Sequence, residues 1–208
     1  MIKKILLISV LLIFSCGKEK KEQQLKVVKE KKQSALIDQQ LITFKKYRYF
    51  DYDRVMEAKY KVLKTGDFFA YSELELFYSY NESKKLELLP YSLIMVERHK
   101  KYKYCTDVFE DILEIFTGKN FNDYFNGEDE SLIKYLKSME QLNKVQKAYA
   151  ISYLELGAKN NQFGSVRYLQ VLNKYGLGVE KNLKKADSLT RVLMRIDKEQ
   201  GLHYFKNR

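Results

Sequence analysis

Side chains able to do chemistry are sparse in this 208-residue chain. The two histidines, His99 in Arg98-His99-Lys100-Lys101 and His203 in Leu202-His203-Tyr204, each lack a second His or Cys three or four positions away. A tetrahedral zinc set therefore has no ligands, and both histidines read as surface residues. Cys105, within Tyr104-Cys105-Thr106, falls on an apolar helical face and reads as buried. With no histidine in a recognisable motif it makes no Cys-His nucleophile. Asp123, Glu128, Asp129 and Glu130 gather around Asn126-Gly127, without the alternating oxygen ligands, central glycine and distant glutamate of a calcium loop, and read as a solvated acidic loop. Glu73 with Glu75, and Glu110 with Glu114, could be written as a general acid and base, as could pairs in any charged helical protein. Phosphate-cradling glycine loops, the G-x-S-x-G elbow and HExxH are missing from the sequence. No metal, cofactor or small-molecule substrate is expected.

Aromatic residues are the abundant class, with 17 Tyr and 12 Phe. Lys45-Lys46-Tyr47-Arg48-Tyr49-Phe50 and Lys100-Lys101-Tyr102-Lys103-Tyr104 interleave rings with bases, a pattern that could stack nucleobases and hold phosphates. Tyrosine also suits protein interfaces, because it is large and apolar with one hydrogen-bonding tip.

The elements that must position these residues read as helices. One proline, no tryptophan and nine glycines exclude a turn-rich sandwich or a collagenous chain. From Ser34 onward apolar residues recur at three and four, as at Leu74, Phe77 and Tyr78, and at Val108, Ile112, Ile115 and Phe116. The spacing predicts helices over 35–48, 53–64, 68–80, 84–99, 102–116, 130–139, 143–159, 164–175 and 182–197, and no strand. Pro90 falls inside the fourth, where it either starts the helix near Leu89 or kinks it. Because Leu86 and Leu89 continue the apolar face of Leu93 and Val96, a kink is expected.

Met1-Ile2-Lys3-Lys4 and the apolar run Ile5 to Phe14 have the basic and short hydrophobic regions of an export signal, too short for a bilayer span of about 20 residues. The run ends at Ile13-Phe14-Ser15-Cys16, which resembles the lipobox of bacterial lipoproteins. That resemblance implies removal of a signal peptide, residues 1–15, and lipidation of Cys16, whose acyl chains would hold the protein at a membrane. Residues 16–34 then form a charged tether. Losing Lys3 and Lys4 takes the net charge from +11 to +9, and seven Lys with three Glu in residues 17–32 carry +4 of that, leaving +5 on the body. Cys16-Gly17-Lys18-Glu19 resembles the Lys/Glu signal of Gram-negative lipoproteins bound for the outer membrane or cell surface, so the expected location is the Gram-negative envelope, facing the periplasm or exposed. That address and the tether's share of the charge argue against nucleic acid.

Near the C-terminus, Gly176-x-Gly178-Val179-x-x-Asn182-x-x-Lys185-Ala186 resembles the hairpin turn of a Sel1-like repeat, an α/α unit related to tetratricopeptide repeats. The two glycines let the chain turn sharply, Val179 would seal the turn, Asn182 would cap the next helix and Ala186 would let the hairpin close. Ala150 and Tyr153 precede Ala186 and Leu189 by 36 residues, the period expected of the family. Ser165, Gln170 and Asn173 depart from its usual residues. A looser tetratricopeptide-like hairpin surrounds Ala58 and Gly66 to Tyr71. The expected fold is all-α, with a TPR-like region over 35–140 and a Sel1-like region over 141–208 winding into a right-handed superhelix.

Together these readings imply a non-enzymatic, lipid-anchored scaffold that binds a protein partner in the envelope, as an immunity protein or an assembly adaptor. Tyr71, Tyr78, Tyr102, Tyr104, Arg167 and Tyr168 are the candidate contacts on its concave face. The alternative is an envelope hydrolase with an acidic pair in a groove between helices. An apolar concave face without convergent acids would favour binding. A deep pocket holding two carboxylates with raised pKa values would favour the hydrolase.

Overall fold

A computed structural model of the chain describes residue 42, residues 51–80 and residues 82–205. The signal, Cys16, the tether and nearly all of the helix expected over 35–48 lie outside the described residues, although Ile42 itself is helical. The described residues from Tyr52 onward form one compact unit, all-α, with no strand among them.

Helices α1 (Tyr52–Thr65) and α2 (Phe68–Ser79) form the first antiparallel pair. Gly66, at φ +62°, turns the chain between them, and the Asp67 side chain accepts from Ala70 N at 2.7 Å to cap α2. Val55, Ala58 and Val62 of α1 pack with Ala70, Tyr71, Leu74 and Tyr78 of α2. The chain then departs from the single kinked helix expected over 84–99. A 3₁₀ segment (Glu82–Glu87) leads into α3 (Leu89–Leu93), with Pro90 in its first turn, and a π turn (Ile94–Arg98) continues it. Proline is tolerated where its missing N–H would have had no partner, so here it starts a helix and does not bend one.

A short 3₁₀ turn (Tyr102–Tyr104) opens α4 (Cys105–Thr117), which ends at the left-handed Gly118. Helices α5 (Phe121–Tyr124) and α6 (Asp129–Leu136) and a 3₁₀ turn (Lys137–Gln141) follow. Asn143 and Gln146 form a reciprocal capping box on α7 (Lys144–Lys159). Helices α8 (Phe163–Tyr175) and α9 (Leu183–Gln200) close the chain as the most extensively packed pair. Between them Gly176 and Gly178 stand at φ +73° and +68°, the Asn182 side chain accepts from Lys185 N, and Ala186 is buried. Asn182 N also donates to Asn173 O at 2.8 Å, tying the turn across its base.

One core runs from Val55 to Leu177 without interruption at residue 140, and a smaller cluster of Val166, Leu193 and Ile196 seals α8 to α9. Helix α4 is its centre. Cys105, Val108, Phe109, Ile112 and Leu113 are all buried, and α4 packs along α7, against α3 and against α8. Close approach to α7 depends on Gly157, where a Cβ would stand 2.9 Å from Cys105 Cβ and 2.1 Å from Ser165 Oγ.

Candidate functional site: an acidic cavity beside the central helix

The apolar stripe of α4 has an acidic counterpart. Asp107, Glu110, Asp111 and Glu114 recur at i, i+3, i+4 and i+7, which places four carboxylates along one side of the helix. Such a stripe would ordinarily be solvated. Here α2 lies over it, and Glu75 on α2 joins the four carboxylates around a cavity of about 390 Å³. Tyr71, Tyr78 and Phe121 supply aromatic wall, and Lys85 is the only cation among the lining residues.

Each acid is held differently. Lys85 Nζ pairs with Glu114 Oε2 at 2.8 Å. Ser92 donates to Asp111 Oδ2 at 2.7 Å, so Tyr71, 2.8 Å from the same serine oxygen, donates to it and extends the chain to Tyr71-Ser92-Asp111. Tyr168 reaches from α8 and donates to Glu110 Oε1 at 2.5 Å. Glu75 and Asp107 have no ion pair among the described residues.

Burial among neighbouring acids raises the carboxyl pKa values, because both effects penalise the charged form. Glu75 is pushed up to about 7, first by burial and then by Asp111, with Lys103 and a hydrogen bond from Ser72 opposing. Asp107 rises to about 7 through burial and Glu75, opposed by Lys103. Glu110 rises to about 8, chiefly by burial, against the hydrogen bond from Tyr168. Asp111 rises to about 7, again by burial first, against the hydrogen bond from Ser92. Near neutral pH the cavity therefore holds protons that ordinary carboxylates would have lost.

The residues expected to contact a partner are placed otherwise. Tyr71, Tyr78, Tyr104 and Tyr168 are buried in the core, with Tyr71 and Tyr78 reaching the cavity wall. Tyr102 is half-buried against the same core. Arg167 is tied to Asp129 and Gln170. The four buried tyrosine rings fill the space between helices, so these six residues do not form an exposed aromatic binding face. Asp129, the first residue of α6, keeps a side chain 44% exposed, and it also receives the Tyr204 hydroxyl at 3.4 Å.

His203 is exposed, whereas His99 is half-buried with its ring against Gly66, and its Nε2 is buried without a partner. The surface reading of His99 is corrected accordingly. Cys105 is buried, and burial pushes its thiol up to about 11, which leaves little thiolate for nucleophilic attack. Among the described residues no group of three or more His, Cys, Asp or Glu is arranged to hold a metal ion.

Glu75, Glu110 and Glu114 figured in the sequence only as generic pairs, and Asp107 and Asp111 did not figure. The signal was the complete i, i+3, i+4, i+7 acidic stripe on a helix whose opposite side is apolar. No protein-family model matches the chain, and no curated protein or solved structure is significantly similar to it.

Proposed function

We propose that the chain is a lipid-anchored helical-repeat protein of the Gram-negative envelope that binds a protein partner, and that the acidic cavity is its recognition site. The observation that carries this reading is the convergence of five carboxylates from α2 and α4 on one concave space. The lipobox-like segment ending at Cys16 supports the anchor. The glycine turn, the Asn182 cap and buried Ala186 between α8 and α9 support a Sel1-like hairpin. Immunity protein and assembly adaptor are the two roles that this resemblance implies, and fold alone does not choose between them.

A second reading has its own support. A pocket with several raised carboxylates is the feature expected of the envelope hydrolase, with Glu75 facing an acid of α4 across the groove. Catalytic acid and base pairs work by divergence, one carboxyl holding its proton while its neighbour stays ionised. Here Glu75, Asp107, Glu110 and Asp111 rise together to about 7 or 8, which describes a cavity short of positive charge more closely than a divided pair. Binding therefore remains the conclusion, with its site moved from the aromatic face to the acids.

Affinity capture from envelope extract with a soluble form, residues 17–208, tests it. The expected result is a protein partner retained by the parent and lost from the double variant Glu75→Gln/Asp107→Asn. Cleavage of envelope glycan or peptide by the purified protein, abolished by Glu110→Gln, would instead establish the hydrolase.

A further inference from the structure

We infer that the turn between α1 and α2 is a membrane-contact surface, where exposed phenylalanines enter a bilayer whose anionic headgroups meet the surrounding lysines. This rests on the proposed anchoring at Cys16 only for proximity, because the contact itself belongs to the folded body.

Two rings stand out at the start of α2. Phe68 is 46% and Phe69 76% exposed, and they meet edge to face with centroids 5.3 Å apart. Apolar residues exposed singly carry no message, but an adjacent aromatic pair beside a turn makes an apolar knob.

Lysines surround that knob. The loop after the π turn crosses the α1–α2 turn, since the His99 ring lies against Gly66. Lys100, Lys101 and Lys103 follow closely in sequence, and Lys103 Nζ sits 3.6 Å from the Phe68 ring centroid. Lys64 approaches from the end of α1, its Nζ 5.8 Å from the exposed Tyr60 ring. All four lysines are exposed, and none has an ion pair among the described residues. Asp67, the acid in the turn, is half-buried and accepts from Ala70 N. Unpaired cations around protruding rings are what peripheral proteins present to an anionic bilayer.

A nucleic acid would need the tyrosines of Lys100-Lys101-Tyr102-Lys103-Tyr104 for stacking. Tyr104 is buried and Tyr102 half-buried in the core, so this segment offers its lysines and withholds its rings. Phe69 protrudes, a shape that suits a yielding lipid surface better than a rigid protein one. Cys16 and Tyr52 are 36 residues apart, a chain that spans at most on the order of 100 Å. A lipid on Cys16 would keep the body within that reach of headgroups. There a contact too weak to hold the free protein becomes populated, as any tethered second contact does.

The chain has no tryptophan, so Phe69→Trp gives the full chain a single fluorescent reporter at the knob. Val145→Trp, at a position 77% exposed in the first turn of α7, is the control. Each full-length protein is reconstituted by detergent removal into vesicles of phosphatidylcholine with one-third phosphatidylglycerol, or of phosphatidylcholine alone. In the anionic vesicles the Phe69→Trp emission is expected to move to shorter wavelength and to be quenched by bromine-labelled acyl chains, while that of Val145→Trp does neither. Adding Lys64→Gln and Lys101→Gln to Phe69→Trp, or omitting the anionic lipid, should reduce the contact, by about fivefold per lysine. Both reporters replace exposed side chains, so the variants are expected to fold, and circular dichroism checks it. Equal quenching of the two reporters, or a Phe69→Trp emission that stays that of water while the protein remains with the vesicles, overturns the contact and leaves the anchor standing. A Phe69→Trp shift in protein whose Cys16 takes no palmitate keeps the contact and removes the anchor. An emission that shifts with a captured protein partner and not with vesicles makes this turn a protein interface, which also overturns the membrane contact.

Discussion

Tyr168 on α8 donates its hydroxyl to Glu110 on α4 at 2.5 Å, joining the C-terminal hairpin to the acidic cavity. That bond is the larger of two influences, Lys85 being the other, that oppose the rise of the Glu110 carboxyl to about 8. Tyr168→Phe removes the donor and leaves the ring, which packs edge-on against Phe109 at 5.7 Å. The expected outcome is a Glu110 titration moved to higher pH, read by carbon-detected NMR of the labelled carboxyl, with about 1 kcal/mol of stability lost. An unchanged Glu110 titration would mean that the two side chains do not meet in solution.

The raised carboxyls make stability depend on pH in an unusual direction. Between about 4 and 7, Glu75, Asp107 and Asp111 hold protons in the folded chain that they would release on unfolding, and Glu110 extends the window to about 8. The folded state binds more protons there, so stability falls as pH rises through that window. Thermal unfolding is expected to be highest near pH 5 and lower at pH 8, by an amount on the order of a few kcal/mol across the cluster. Asp107→Asn should flatten the slope and raise the midpoint at pH 8. A profile that climbs from pH 5 to 8 would contradict the burial of these acids.

Ser92 relays Tyr71 to Asp111, and it is fully buried. Ser92→Ala leaves a buried phenol and a half-buried carboxyl without their shared partner. The expected cost is about 2 kcal/mol, accompanied by a further rise of the Asp111 pKa, since the lost hydrogen bond was lowering it. Ser92→Thr keeps the hydroxyl and should restore the Asp111 titration if the relay is the cause.

Local signals were the readable ones. Gly176, Gly178 and Asn182 dictate a turn and a cap within a dozen residues, and that turn forms as its residues imply. The apolar stripe of α4 was readable too, because a helix face needs only its own spacing, although Phe116 at its end is exposed. Pro90 was ambiguous in sequence, since a first-turn proline and a kink share the same neighbours. The cavity was hidden for a different reason. An acidic stripe reads as solvated until the element that covers it is known, and α2 lies about 35 residues upstream of α4. Tyrosines read as interface residues became core for the same reason: which ring is covered depends on contacts far apart in the chain.

Cys16 is the residue on which the proposed address rests. If the thiol carries a diacylglycerol, Cys16→Ser should abolish palmitate labelling and release the protein from membranes, because one anchor of this kind supplies nearly all of the membrane affinity. Labelling that persists in the variant would place the lipid elsewhere or remove it from the account.

Gly178 distinguishes packing from backbone strain. Its φ of +68° already disfavours any side chain, at roughly 1–2 kcal/mol. A Cβ there would in addition stand 2.8 Å from Met139 Cβ, where the turn between α8 and α9 docks on the segment after α6. Gly118 shares the left-handed backbone, at φ +66°, yet has nothing within 4 Å of an added Cβ. Gly118→Ala should therefore cost about 1 kcal/mol, and Gly178→Val several kcal/mol, measured by urea unfolding. Because Met139 is fully buried, Met139→Ala in the Gly178→Val background should recover part of the loss by opening room for the new side chain. Equal costs at the two glycines would show that the turn does not dock on Met139, and that strain alone explains Gly178.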